Sequence, residues 1–246
     1  MHATFIAMFQ EPITTYLKTS IIKHAIEKNI ISTNIISILE HVNNNHHKID
    51  DTPYGGGAGQ LIRIDIIEPL IELALKTSLE QREAKRVILL DPTGITFNQS
   101  HALRLSTYEE LIFVCARYEG IDARIDNFVD EKISLGDFVM SNGDLSALSI
   151  FDAVVRLKPG VLGNSMSLSH ESHNSGRLES SNYTRPENYK GLKVPKILQS
   201  GNHEEIHNYK IMDALIKTLE LRPDLLINNP LSAEEKKLLR QKNERK

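Results

Sequence analysis

Two polar turns, each set at the end of an apolar run, carry the residues best suited to chemistry. Leu111 to Ala116 has the length and β-branched content of a buried strand, and it breaks at Arg117-Tyr118-Glu119-Gly120. A short strand pair follows, Ile133-Ser134-Leu135 and Phe138-Val139-Met140, pinched by Gly136-Asp137 and ending in Ser141-Asn142-Gly143-Asp144. Glycines let backbone approach a ligand closely, and carboxylates accept hydrogen bonds from a ribose or face a cation. Open α/β sheets bind ligands at the carboxyl ends of their strands. Two such turns close in sequence therefore point to one small-molecule pocket.

Other candidates are weaker. Pro53-Tyr54-Gly55-Gly56-Gly57-Ala58-Gly59 lies in a loop from His41 to Gln60, but no Gly-Lys-Ser/Thr follows, so it is not a phosphate-binding P-loop. His203-Glu204-Glu205-Ile206-His207 matches the His-Glu-x-x-His pattern of zinc hydrolases. Its first histidine falls in the opening turn after a capping Asn202, and no third histidine ligand follows, so no metal site is assigned. His46 and His47 lack ligand spacing and read as loop surface. Cys115 reads as a small apolar residue inside a strand.

The elements that must position these groups alternate. Strands are expected at Ala3–Met8, Thr33–Leu39, Arg86–Leu90 and Leu111–Ala116. Asp91-Pro92-Thr93-Gly94 reads as a turn. One helix starts at Glu11-Pro12, with Ile13, Leu17, Ile21 and Ile22 inward. A second is capped by Asp65 and runs to Ser78, with Ile66, Leu70, Leu73 and Ala74 inward. Short and long helices follow at Gln99–Ser106 and Leu145–Arg156, the latter with Leu148, Phe151, Val154 and Val155 on one stripe. This alternation argues a covered, parallel α/β sheet. Residues 163–176 are polar, serine-rich and aperiodic, as in a flexible interdomain linker. Beyond them the pattern is helical. Asn202 with Glu205 and Ser232 with Glu235 form capping boxes, and Ile206, Leu215, Ile216 and Leu219 make a stripe.

The chain has 246 residues, 40% hydrophobic and 25% charged, which suits one large or two modest soluble domains. A single cysteine excludes an internal disulfide and fits a reducing compartment. The N-terminus has no basic stretch leading into a long apolar core, and no apolar run reaches membrane-spanning length, so a cytoplasmic protein is expected. Net charge is −3 but uneven: residues 1–160 hold 15 Lys and Arg against 21 Asp and Glu, residues 161–246 hold 14 against 11. Phosphates of an RNA would be held by the C-terminal part and selected loops.

CARYEGID (115–122), SLGDFVMSNGDLSA (134–147) and RLKPGVLG (156–163), with PYGGGAG, YTRP (183–186) and SGNH (200–203) in the same order, closely resemble the TrmD-type bacterial tRNA (guanine-N1)-methyltransferases. The resemblance implies a SPOUT-type knotted parallel-sheet domain at 1–162 that binds S-adenosylmethionine, the linker at 163–176, and a helical tRNA-binding domain at 177–246. It implies methyl transfer to N1 of guanosine 37 in the tRNA anticodon loop by an obligate homodimer whose chains share active sites. Donor-binding residues would be Leu90, Pro92, Ala116, Tyr118, Glu119, Gly120, Leu135, Gly136, Asp137, Phe138, Val139, Met140, Asn142 and Gly143. Asp91, Asn142 and Ser146 depart from the family pattern. Glu179 stands where the family carries an aspartate base, and Arg156 where it carries an essential arginine. Asp50, Tyr54, Gly55, Gly56 and Arg185 would meet substrate RNA. Magnesium is implied as a requirement without a fixed protein site. The other readings are a zinc-dependent hydrolase acting through His203 and His207, and a non-catalytic RNA-binding protein.

Overall fold

The computed structural model describes residues 1–41, 48–77, 81–163, 171–174 and 176–244. The readings of His46 and His47, and most of that for 163–176, lie outside these residues. The chain divides into two units, Met1–Gly163 and Asn164–Lys246.

The first unit is built on a five-stranded sheet. Its strands are β1 (His2–Ala7), β2 (Ser32–Ser37), β5 (Lys85–Thr96), β6 (Glu110–Cys115) and β7 (Glu131–Ser134), in the order β2-β1-β6-β5-β7. Every pairing is parallel. Two short strands, β3 (Asp50–Asp51) and β4 (Leu61–Ile62), pair antiparallel beside it.

Strand residues alternate between two buried layers, which is why the strands read as nearly continuous apolar runs. Ala3, Phe5, Ile88, Leu90, Leu111 and Phe113 face one layer. Ile6, Val87, Leu89, Ile112 and Val114 face the other. The first layer is closed by α1 (Glu11–Leu17), α2 (Ser20–Glu27), α4 (Gln99–Leu105) and α5 (Asp144–Val155); α3 (Ile64–Thr77) closes the second. At the centre of the first layer Phe5 stacks on Phe113 at 5.2 Å, and Phe151 meets both edge-on at 5.3 and 6.5 Å. Leu148, Phe151, Val154 and Val155 of α5 are all buried, as their spacing requires.

Several expectations are corrected. The helix expected from Glu11 is two helices, because the chain breaks at Lys18-Thr19 and Ser20 takes a left-handed φ of 49°. The inward face of α3 is Ile67, Leu70, Ile71 and Ala74, leaving Leu73 exposed. Asp65 does not cap that helix but lies inside it, held by a two-pronged contact from Arg63. Asp91-Pro92-Thr93-Gly94 does not end β5. Its turn chemistry forms, with Asp91 accepting from Thr93 N at 2.8 Å, yet the strand resumes and pairs Ile95 and Thr96 with β7. Only glycine fits at 94, where a Cβ would sit 2.5 Å from the Lys132 carbonyl carbon. Phe138-Val139-Met140 is not a strand but an exposed loop.

The second unit carries a small hairpin, β8 (Asn188–Tyr189) with β9 (Leu192–Lys193), and helices α6 (His203–Leu221), α7 (Asp224–Asn228) and α8 (Ala233–Glu244). Ser232 and Glu235 form a full capping box: Glu235 N donates to Ser232 Oγ at 3.1 Å and Ser232 N to Glu235 Oε2 at 2.7 Å. The box at α6 is half formed, since Asn202 accepts from Glu205 N while its own N–H turns to Ser200 Oγ. On α6 Leu215 is buried, but Leu219 is half exposed, and the fully buried position beside it is Thr218.

An ion triad ties the β5–β7 edge to α4. Glu131 accepts from Arg86 Nε at 2.7 Å and from Arg104 Nη1 and Nη2 at 3.0 and 2.6 Å. Burial alone would raise the Glu131 pKa, but the two guanidinium groups together overcome it and hold it below the ordinary glutamate value. A carboxylate with a depressed folded pKa stabilises the fold above its unfolded pKa and loses that contribution as pH falls. Glu131→Gln should therefore cost about 1.5–3 kcal/mol at neutral pH, the worth of a charge-assisted hydrogen bond. In thermal melts across pH, the wild-type advantage should shrink below pH 4.5; an advantage constant down to acid pH would contradict the triad's role.

Candidate functional site

A cavity of about 290 Å³ opens at the carboxyl ends of β5, β6 and β7. Its walls are residues 90–93 of the β5 irregularity, the 116–120 turn after β6, and residues 133–135 and 138–143 around the end of β7; Ser146 in the first turn of α5 completes it. The turn after β6 closes through Gly120 N donating to Arg117 O at 2.9 Å, with Tyr118 at a left-handed φ of 58°. The third segment is drawn against the first two. Gly143 N donates to Ala116 O at 2.9 Å, and a Cβ on Gly143 would lie 3.1 Å from Ala116 N, Cys115 Cα and Leu90 Cβ. Asn142 bridges Arg117 and accepts from Asp144 N through its side chain at 3.1 Å. The N-cap of α5 itself is Gly143.

Of the residues read from the sequence, Leu90, Pro92, Ala116, Tyr118, Glu119, Gly120, Leu135, Phe138, Val139, Met140, Asn142 and Gly143 line this cavity. Gly136 and Asp137 do not. Gly136 instead shapes the loop: its N–H and carbonyl both meet Ser134 Oγ, and Phe138 N donates to its carbonyl. The lining mixes main-chain groups and apolar side chains with polar residues, among them Asp91, Arg117 and the exposed Glu119. Such a surface reads the edges of a flat heterocycle through main-chain hydrogen bonds and holds a diol through a carboxylate.

The carboxylate at the end of the second polar turn was given no role of its own in the sequence reading. Asp144, first residue of α5, is 2% exposed, and its carboxylate oxygens meet no hydrogen-bond partner of good geometry among the described residues. Burial raises its pKa more than the charge of Arg117 and the Cys115 thiol lower it. Burial and the nearby Asp144 together push the Cys115 thiol up, so this cysteine is a poor nucleophile. Arg117 lies over the Phe9 ring at 4.6 Å. An alternating polar and apolar pattern carries no signal for such a buried acid at a helix start.

The glycine loop is stitched to the same turn from behind. Glu119 N donates to Gln60 O at 3.2 Å, Ile62 N to Gly120 O at 3.0 Å, and Asp122 N to Ile62 O at 3.0 Å. A Cβ on Gly59 would lie 2.2 Å from Glu119 Cγ, so the loop's last glycine is required for that contact. Gly55 and Gly56 have φ of 84° and 80° with open space around them, and Tyr54 is fully exposed. Asp50 pairs with Ile62 across β3 and β4. Arg156 follows α5 as its partly buried C-cap, its N–H donating to Asp152 O.

Glu179 and Arg185 belong to the second unit, and both are exposed. Glu179 lines a groove of about 750 Å³ with Glu171, His203 and His207 among others. His207 Nε2 lies 3.5 Å from Glu234 Oε1 of α8. Among the described residues, no group of three or more His, Cys, Asp or Glu side chains is placed to hold a metal, and no helix is long and apolar enough to cross a membrane.

The family model described as tRNA (Guanine-1)-methyltransferase TrmD matches residues 1–228. Relatives named tRNA (guanine-N(1)-)-methyltransferase align over nearly the whole chain. That of Latilactobacillus sakei subsp. sakei (strain 23K) is 42% identical over 241 residues, covering 98% of this chain and 97% of its own. That of Lacticaseibacillus paracasei (strain ATCC 334) is 43% identical over 225 residues, covering 92% and 87%. That of Listeria monocytogenes serovar 1/2a (strain ATCC BAA-679 / EGD-e) is 40% identical over 243 residues, covering 98% of each. A cavity at the ends of three parallel strands, met by a family match through all of it, means that the chain belongs to the TrmD family of tRNA (guanine-1)-methyltransferases.

Proposed function

We propose that the protein moves the methyl group of S-adenosylmethionine to N1 of guanosine 37 in the anticodon loop of tRNA. The observation that carries this reading is the cavity of three converging turns in a chain whose relatives are named tRNA (guanine-N(1)-)-methyltransferase. The residues present fit the donor: main-chain groups of 116–120 and 138–143 suit adenine edges, and Glu119 suits a ribose diol. When bound, S-adenosylmethionine supplies an electrophilic methyl carbon on a sulfonium. Segments 90–93, 116–120 and 138–143 would hold it from three sides.

Guanine N1 carries a proton and is a poor nucleophile until that proton leaves. In this reading N1 bonds to the methyl carbon, the carbon–sulfur bond breaks with its electron pair going to sulfur, and the N1 proton passes to Glu179. An ordinary carboxylate, with a pKa of about 4.3, is too weak a base for ground-state guanine. N1–H grows far more acidic as the new bond forms, so a positioned carboxylate can accept it then. Arg156 stabilises the charge that develops on O6. Asp50, the loop at Tyr54-Gly55-Gly56, and Arg185 meet the RNA.

The same reading includes the knotted connection of SPOUT proteins, favoured here by the close passage of Gly143 over Ala116 and Leu90. It includes a homodimer with shared active sites, since the donor cavity and Glu179 belong to different units. It also includes a linker at 163–176, a tRNA-binding domain at 177–246, a cytoplasmic setting, and magnesium acting without a fixed protein site.

Donor binding tests the cavity. Gly120 sits at φ 112°, and a Cβ on Gly136 would lie 2.9 Å from the Phe138 ring. Gly120→Val and Gly136→Val should each weaken S-adenosylmethionine binding in calorimetry by more than tenfold; unchanged binding in both would refute the assignment. The base is tested in single turnovers. Glu179→Gln should bind donor normally and lose about 10²–10⁴-fold in methyl transfer to tRNA, with Glu179→Asp retaining more. Transfer by the Gln variant at the wild-type rate, with loss in Glu171→Gln instead, would move the role to Glu171.

A further inference from the structure

Residues 91–94 leave the β5 ladder and rejoin it at the place they left, since Leu90 and Ile95 both pair with Ile133 of β7. The bulge is held by those two pairings and by Gly94, where the backbone passes too close to Lys132 for any side chain. Asp91, Pro92 and Thr93 line the cavity. Asp91 is half-buried, and its Oδ1 accepts from Thr93 N at 2.8 Å and from Thr93 Oγ1. These contacts fix the carboxylate against its own turn. Its Oδ2 accepts no hydrogen bond, and no cation pairs with it, among the described residues.

The charged side chains of the lining are Asp91, Arg117 and Glu119. The Arg117 guanidinium is engaged by other groups: it lies over the Phe9 ring at 4.6 Å, donates to Met8 Sδ at 3.8 Å, and has the buried Asp144 within electrostatic reach. Glu119 is exposed, with its side chain packed against Gly59. Asp91 is thus the half-buried anion of this wall, fixed in place and not neutralised by a partner. S-adenosylmethionine and its product S-adenosylhomocysteine share adenine, ribose, ammonium and carboxylate groups. They differ by one methyl group and by the positive charge on sulfur. Main-chain contacts to the shared parts hold both alike, so only a group that senses the sulfur can tell them apart.

We propose that Asp91 is a specificity-determining residue for the donor: its carboxylate favours the sulfonium of S-adenosylmethionine over the neutral thioether of the product. The proposal deepens the donor reading of the cavity and rests on it. A fixed anion on a half-buried wall acts through an effective dielectric below that of water, and there a unit charge changes the binding of a cation on the order of three- to tenfold. The product, uncharged at sulfur, gains nothing from Asp91 and gives way to fresh donor.

The test is calorimetric binding of three ligands to the full chain: S-adenosylmethionine, S-adenosylhomocysteine, and sinefungin, which carries an ammonium in place of the methylated sulfur. Asp91→Asn removes the charge while keeping the shape and an acceptor for Thr93 N. It should weaken S-adenosylmethionine and sinefungin by about three- to tenfold and change S-adenosylhomocysteine by less than about twofold. Asp91→Ser should act in the same direction, and it takes over if the Asn variant does not fold. Equal weakening of all three ligands means that Asp91 only shapes the bulge, and it overturns the proposal. So does unchanged binding of all three. Weakening of S-adenosylmethionine alone, with sinefungin unaffected, shows recognition of the methyl group instead of charge and overturns it too. Loss of the preference in Glu119→Gln but not in Asp91→Asn moves the discrimination to Glu119. If neither Asp91 variant folds, the residue is structural and the proposal is wrong. Folded wild-type protein that binds none of the three ligands contradicts the donor reading itself, and the proposal with it.

Discussion

Gly143 donates its N–H to the Ala116 carbonyl at 2.9 Å, close enough to Cys115, Ala116 and Leu90 that a side chain at 143 would press on all three. The candidate site depends on this approach. It brings the segment after β7 against the ends of β5 and β6, so three turns distant in sequence close on one space. It also sets the start of α5, whose buried face packs Phe151 against Phe5 and Phe113. Core and site are therefore not separable here. The helix that seals one side of the sheet begins in the residues that wall the cavity.

The sheet was legible in the sequence where burial on both faces writes long apolar runs, as in Leu111–Cys115 and Val87–Leu90. The cavity was legible too, as polar turns at the ends of such runs, with the family resemblance naming its residues. What local pattern could not carry was long-range pairing. Asp91 and Thr93 make the turn their types favour, yet the β7 ladder reclaims the chain at Ile95, and nothing near residue 95 announces it. Strand order is invisible for the same reason. The face of α3 was misread by one position because Ile66, Ile67, Leu70, Ile71 and Leu73 leave its apolar side too broad to orient. Nothing in the local pattern marks Arg177, whose acid partner lies 58 residues away.

The polar interactions divide by purpose. The Arg86–Glu131–Arg104 triad and the Arg177–Glu235 pair are satisfied and join elements. Asp144 is the opposite case: a buried acid at the head of a helix, its pKa raised by burial against the opposing charge of Arg117. Buried polar groups without partners carry a cost that packing elsewhere must offset, and they concentrate at functional sites. The imbalance of charge along the chain follows the same division, with the acidic first unit around the cavity and the more basic residues after 160 available to an RNA backbone.

The central claim is the identity of the transferred group and its acceptor atom. The direct measurement is to incubate the protein with methyl-labelled S-adenosylmethionine and unmodified tRNA transcripts, digest the RNA, and identify the labelled nucleoside and its place. The expected result is 1-methylguanosine at position 37 of transcripts that carry guanosine there, and no label in transcripts that do not. Label on another atom or another nucleoside, or none with folded protein that binds donor and tRNA, would contradict it.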